Sequence, residues 1–397
     1  MKVGILTFHS SYNFGANLQT LAIQAAVEKA GAEPMVINYR DPAKMEAYRN
    51  ITDPQQVSEH ERFIATYLKT SEPLTTALQF EAVCRDELDV VLVGSDQVFR
   101  LISPVNLRKG VRRMLKRNAN PLSEEATKIP PPYWLDWNAS GSASTVRTAS
   151  IAASVGSSSY RFLYPGLSKR LSQCLAQFDT VTVRDRWTEK MIKRLTGGRI
   201  NPDYCPDPVF SLTDNFKFPD DELPVSDLSN TILLSVVMDS DWVADFAEEA
   251  HRHGYQVASL PNPDREFLMG AVDFNVHLPL SPLNWFQLLS TAAVFVGIRY
   301  HALVSCMANH TPVVAVDTTP RFSIGYQQKS RSFDLCRRAG IPLRYVGSAR
   351  KLRKCSPKRL LQRLFDPGSQ QKADRFAETA RSRFQDTMRR VLSDPPR

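Results

Sequence analysis

The sequence predicts an α/β protein built as two successive domains that face one another across a cleft. Three observations carry this expectation. At 397 residues the chain is too long for one ordinary core, so two domains of roughly 150–200 residues each are expected. Short apolar runs alternate with helical patterns through both halves, the mark of successive β-α-β units around a parallel sheet. Between the halves lies a proline-rich stretch, NPDYCPDPVF, from Asn201 to Phe210, of the composition that links domains. The expected domains are therefore 1–205 and 206–397, with a ligand cleft where they meet.

Taken in order, Val3 to Phe8 (VGILTF) is a continuous apolar run, as in a strand buried on both faces. After the loop HSSYNFGAN, Leu18, Leu21, Ala22 and Ala25 keep helical spacing and Gly31 supplies the stop. Pro34 to Tyr39 completes the first β-α-β unit. Helical patterns run from about Ser58 to Leu88, and a buried strand, VVLVGSDQV, begins near Val90. Residues 101–147 lack a regular pattern and read as an insertion, with a basic cluster, LRKGVRRMLKR, from Leu107 to Arg117. Strand character resumes at Arg147 to Ala153, followed by a helix from about Gly166, the strand of FDTVTVRD and the helix of RWTEKMIKRLTGG.

The second half repeats the alternation. The strand of NTILLSVV precedes the helix of DWVADFAEEAHRHG, and the strand of QVASLP precedes the helix of SPLNWFQLLSTAA. Ser281 and Pro282 make a good start for that last helix, a capping residue followed by proline at the first turn. The strand VFVG, the helix HALVSCMAN and the strand PVVAV follow, and past Gly347 the chain becomes a basic helical tail.

Hydrophobic content of 43% and charged content of 23% are those of a globular protein. Fifty Lys and Arg against 41 Asp and Glu give a net charge of +9, which favours anionic partners. The six cysteines are scattered without a C-x-x-C pair, which argues against zinc and a disulfide framework and fits a reducing compartment. No run reaches the ~18 apolar residues of a membrane span, and the N-terminal apolar run is too short for a signal peptide. A soluble, cytoplasmic protein is expected. No nucleic-acid module, Walker loop, H-E-x-x-H or Ser-His-Asp signature occurs.

The chemistry-bearing positions fall at strand ends. In GIRYHALV, Arg299 and His301 sit where a strand gives way to a helix. The free N–H groups of a helix start favour an anion there, Arg offers a two-pronged donor, and His can donate a hydrogen bond or a proton. The plain alternative is that Arg299 pairs with an acid on a neighbouring loop and His301 caps the helix. Arg321, in VDTTPRF, follows the next strand on the same sheet edge, where it is either a second cation for the pocket or, more simply, a solvated loop arginine. Asp96, in GSDQ, ends a buried strand and suits a general base or a turn. Arg184 ends FDTVTVR, either facing the cleft or pairing with Asp185 or Asp207. NFGAN, with Asn13 and Gly15, is a strand-to-helix loop with one glycine and not a dinucleotide fingerprint.

In their order these motifs resemble the polysaccharide pyruvyl transferase family. The matching stretches are GILTFHSSYNFGANLQTLAIQ with VINYR, VVLVGSDQVF with YWLDW, IAASVG, VTVRD, PDPVF and GIRYHALVSCMANHTPVVAV, spanning about residues 1 to 330. The resemblance implies two Rossmann-like domains similar to the glycosyltransferase-B fold, with the acceptor on the N-terminal side and the donor on the C-terminal side. It also implies transfer of a pyruvyl group from phosphoenolpyruvate to a sugar of a cell-surface polysaccharide or its precursor, as a ketal, with release of phosphate. No cofactor beyond that donor and no metal is implied. The acceptor is lipid-linked or free, and a lipid-linked one would bring the protein to the inner face of the membrane. The family's R-x-x-H falls on Arg299 and His301, here spaced Arg-Tyr-His, and the Arg of its Arg-Glu motif falls on Arg184, followed by Asp185. Its N-x-G matches Asn13 and Gly15. Phe99 stands where Trp is usual, and Asp317 to Arg321 replaces a Tyr-Asp-Pro-Lys-like loop while keeping a cation. On this resemblance Arg299, Arg184, Asn13, Gly15 and Arg321 bind substrate. His301 supplies the proton or holds phosphate, and Asp96 is the candidate base. The rivals are a glycosyltransferase of the same fold using a nucleotide sugar and a non-catalytic scaffold.

Overall fold

The structure is a computed structural model that describes residues 1–101, 130–137, 146–158, 160–161, 163, 165–219, 228–317 and 326–393. Two six-stranded parallel sheets form its frame. The first comprises β1 (Lys2–Leu6), β2 (Glu33–Val36), β3 (Val90–Val93), β4 (Arg147–Ala153), β5 (Thr180–Val183) and β6 (Asp203–Tyr204), in the order β2-β1-β3-β4-β5-β6. The second comprises β7 (Thr231–Ser235), β8 (Gln256–Ser259), β9 (Phe274–Asn275), β10 (Val294–Gly297), β11 (Val313–Val316) and β12 (Tyr345–Val346), in the order β12-β11-β10-β7-β8-β9.

Central runs such as VVLV and VFVG are buried at every position because helices cover both faces of each sheet. Register is held by apolar neighbours, Val3 beside Val90 and Phe295 beside Leu233. The strand order reverses between β1 and β3 and again between β7 and β10. Such reversals open a crevice at the carboxyl ends of the strands, where α/β folds bind ligands.

The helix Phe14–Lys29 joins the two halves. The sequence shows one apolar stripe on it, yet every residue from Phe14 to Val27 is buried. The reason is tertiary: one side packs on the first sheet, and the other meets the helix Pro282–Thr291 and the segment Pro208–Asn215. Leu18, Leu21 and Ala22 thus share one hydrophobic core with Leu283, Trp285 and Phe286. Small side chains on this helix let neighbouring elements approach from all round.

Two expectations change in detail. The helical stretch from Ser58 to Leu88 is two helices, Pro54–Tyr67 and Ala77–Asp86, parted where the chain lays Thr70 and Leu74 beside Val36 and Tyr39. A capping box of Thr76 and Gln79 restarts the second. The basic tail does not stay with the second sheet alone. Its last helix, Pro367–Ser393, returns to the first, where Arg390 pairs with Asp203 at 2.7 Å and Arg383 donates to the Tyr204 carbonyl at 2.8 Å. The basic cluster Leu107 to Arg117 lies outside the described residues. Further along the chain Trp134 is fully buried, 4.6 Å from the Phe99 ring. Among the described residues no helix is long and apolar enough to cross a membrane.

The returning helix seals the shared core with Phe384, which is wholly buried. Phe384→Ala should cost about 3–5 kcal/mol. The check is the urea midpoint, and a shift worth less than about 1 kcal/mol would mean that this helix is only docked on the surface.

Candidate active site

Two helix starts meet at the carboxyl ends of the sheets. On the C-terminal side β10 ends at Gly297 and the helix Tyr300–Ala308 begins. Arg299 is its N-cap residue in extended backbone and makes no side-chain cap bond, so its side chain does not satisfy the first N–H groups of the helix. On the N-terminal side Asn13 caps the helix Phe14–Lys29 by accepting from the Ala16 N–H at 3.3 Å. The two starts touch. A Cβ built on Gly15 would lie 2.0 Å from Cγ of His301, so only glycine fits between helix and imidazole.

Beneath this contact sits Arg184, with no part of its side chain exposed. Its Nη2 donates to Asp96 Oδ1 at 2.8 Å and its Nη1 to Asp207 Oδ2 at 2.7 Å, with His301 Nε2 3.5 Å from Nη1. A guanidinium only donates, so Nε2 is the accepting nitrogen and the imidazole proton belongs on Nδ1. Arg331, from the start of the helix Arg331–Arg338, also donates to Asp96 Oδ1 at 3.4 Å. Both guanidiniums lie against the Tyr300 ring, at 4.8 Å and 5.3 Å from its centre. Gln19 donates to Asp207 Oδ2 and to Ser95 Oγ, tying the cluster to the buried helix. Asp185 is not part of it, since its carboxylate accepts from Thr188 and caps the helix Arg186–Leu195.

Burial pushes the Asp96 carboxyl up, but the positive charges of Arg184, His301 and Arg331 outweigh it and hold it at about 2. Burial pulls His301 down to about 4 against the pull of Asp96 and Asp207, so the imidazole is neutral at neutral pH. Arg331 is pushed down by burial and by the neighbouring Arg184 charge. Asp96 also holds left-handed backbone, φ 69°, a mild strain that Asp tolerates and that often accompanies functional sites.

Over this cluster opens a cleft of about 240 Å³, with Asn13, Gly15, Asp96, Arg299 and His301 on its walls. Five of the expected residues are therefore brought together around one space, and Arg184 lies in direct contact with two of them. Arg299 and His301 do not converge on one group: Arg299 binds Asp264, as the plain alternative had it, while His301 turns to Arg184. Arg321 lies outside the described residues. The sequence alone did not point to Arg331, Lys329 or Tyr300, which also line the cleft. The only signal for Arg331 is the Ser330 that caps its helix, a mark of a helix start and not of a site. A larger open groove, about 1110 Å³, lies along the helix Pro165–Ala176 near the β6 edge. It shares no lining residue with the cleft between the helix starts. Among the described residues no group of three or more His, Cys, Asp or Glu could hold a metal ion.

A family model, polysaccharide pyruvyl transferase, matches residues 13–320. No curated protein sequence matches the chain. Among solved structures the chain is similar to the UDP-GlcNAc 2-epimerase of Neisseria meningitidis bound to UDP-GlcNAc, with 10% identity, 99% of each chain covered and a TM-score of 0.55. A further UDP-N-acetylglucosamine 2-epimerase matches with 10% identity, 98% and 94% coverage and a TM-score of 0.51. The glycosyltransferase SnogD from Streptomyces nogalater matches with 13% identity, 99% of each chain covered and a TM-score of 0.46. At such identities the likeness concerns the fold alone, and the α/β class with two parallel sheets is the one that the sequence predicts.

The site implies acid sensitivity. His9, held by Asn38, and His60, held by Asn17, are buried like His301 and are pulled down by burial to about 4 and about 3. Below pH 6.5 the unfolded chain therefore binds more protons than the folded one, and stability falls as the pH drops towards those values. Each histidine contributes roughly 1.4 kcal/mol per pH unit, so about 4 kcal/mol is lost by pH 5.5. Urea midpoints at pH 7.5 and 5.5 check this, and equal midpoints would contradict buried neutral histidines.

Proposed function

This chain belongs to the polysaccharide pyruvyl transferase family, and we propose that it transfers a pyruvyl group from phosphoenolpyruvate to a sugar hydroxyl pair as a ketal, releasing phosphate. The acceptor in this reading is a sugar of a cell-surface polysaccharide or its precursor. One observation carries the reading: a neutral, buried imidazole, an uncapped helix start and two arginines line one small cleft, with a third arginine buried beneath them. That set suits a compact dianion better than a bulky neutral ligand.

Arg299, Arg331 and the free N–H groups of the helix Tyr300–Ala308 would hold the phosphate and carboxylate. Binding a dianion beside His301 supplies the negative charge that favours imidazolium, so the proton arrives with the donor. His301 then protonates the methylene carbon of phosphoenolpyruvate, and the carbon bearing the phosphate becomes a cation stabilised by its oxygen. A first sugar hydroxyl adds there and returns its proton to His301. Phosphate leaves, a second hydroxyl adds to the cation so formed, and its proton departs with phosphate. Atoms and charges balance without a further base. Asp96, expected to be that base, is a weak proton acceptor while two guanidiniums hold it near 2. Its assigned role is to keep Arg184 and Arg331 side by side.

The test is turnover of phosphoenolpyruvate with a panel of free and lipid-linked sugar acceptors, read as phosphate release and ketal in the product. His301→Ala should lower kcat by about 10²–10⁴-fold in a folded protein, and Arg299→Ala should mainly raise the KM for phosphoenolpyruvate. Retained turnover in His301→Ala would overturn the acid assignment. Transfer from a nucleotide sugar without phosphoenolpyruvate would instead make the protein a glycosyltransferase.

A further inference from the structure

The buried polar side-chain atoms left without a partner on the walls of the cleft are all of one sign. Among the described residues, three side chains on its walls carry a buried polar atom with no partner: Asn262 at Nδ2, Trp285 at Nε1 and Arg299 at Nε. All three are N–H donors. Asn262 and Trp285 are each 98% buried, and a buried N–H left unpaired costs about 1–3 kcal/mol. Neither group is an accident of loose packing. Asn262 sits past the carboxyl end of β8 in a turn closed by reciprocal backbone bonds with Arg265, at 2.8 and 2.9 Å. Trp285 is clamped by the Phe14 ring, 5.1 Å away and nearly parallel, at the start of the buried helix.

We infer that Asn262 and Trp285 form the neutral half of a phosphate subsite whose charged half is Arg299. This rests on the pyruvyl-donor reading and specifies which residues would receive the donor's phosphate. Oxygens of a phosphate monoester offer only acceptors, which match the three unpartnered donors. The two neutral N–H groups also add hydrogen bonds without adding charge beside Arg184 and Arg331, which already crowd one another. Phosphate is the better occupant than carboxylate because three donors from separate elements, past β8, on the helix Pro282–Thr291 and at the end of β10, suit a tetrahedral group rather than a planar one.

Binding of inorganic phosphate and of phosphoenolpyruvate to the full chain, by titration calorimetry, tests this. Trp285→Phe removes the N–H and keeps a ring, and both dissociation constants should rise about 10-fold. Asn262→Ala should do the same. Asn262→Asp, nearly identical in shape, puts an acceptor where the donor was and should weaken both ligands more than Ala does. A structural role for Asn262 would give the opposite order, Asp milder than Ala, and would overturn the inference. Unchanged constants in all three variants would overturn it too, and so would weakened phosphoenolpyruvate with unchanged phosphate, which would place the donors on the carboxylate. A wild-type protein that binds neither ligand would bring down the donor reading and this subsite with it, whereas intact wild-type binding with indifferent variants removes the subsite alone.

Discussion

The approach of two helix starts at Gly15 and His301 is the constraint on which the rest of this structure depends. With no side chain on Gly15, the N-terminal helix comes close enough for the imidazole to be sealed from water on that side. That sealing keeps His301 neutral. It also fixes the distance between the sheets, so that Arg184 from one half reaches within 3.5 Å of His301 in the other. A methyl group at position 15 would have to move either the helix, buried on every side, or the ring. Neither has room to yield, because both belong to the same packed core.

The buried charges follow from this closure. Arg184 is wholly removed from water, which is tolerable only because two carboxylates, Asp96 and Asp207, accept from its two Nη groups. Arg331 then shares Asp96 rather than bringing an acid of its own. A second cation is thereby held close to the first, and the two carboxylates balance the two guanidiniums. The site holds its arginines ready before a ligand arrives, at a cost in stability that the large shared core around the helix Phe14–Lys29 offsets.

Much of this was legible in the chain itself. Apolar runs of four to six residues marked the strands because both faces of a parallel sheet are covered, and that leaves a continuous pattern rather than an alternating one. The helix start at Ser281 announced itself through capping chemistry, which acts over three residues. Positions at strand ends, Asp96, Arg184 and Arg299, were marked because α/β folds gather ligands at the carboxyl edge. What escaped were relations between distant residues. Arg331 lies 235 positions from Asp96, and no local pattern connects them.

The sequence by itself determined the class of fold, the alternation of elements and the strand-end residues from which the site is drawn, since those depend on local periodicity and backbone chemistry. Only the tertiary structure decided which of those residues meet. It turned Arg299 to Asp264 and His301 to Arg184, made Asp96 a brace between two guanidiniums, and brought the last helix back across both sheets. The physical reason is that burial and ion pairing depend on what packs against a residue from elsewhere in the chain. A charge such as Arg184 finds its partners only after the two halves have closed on one core.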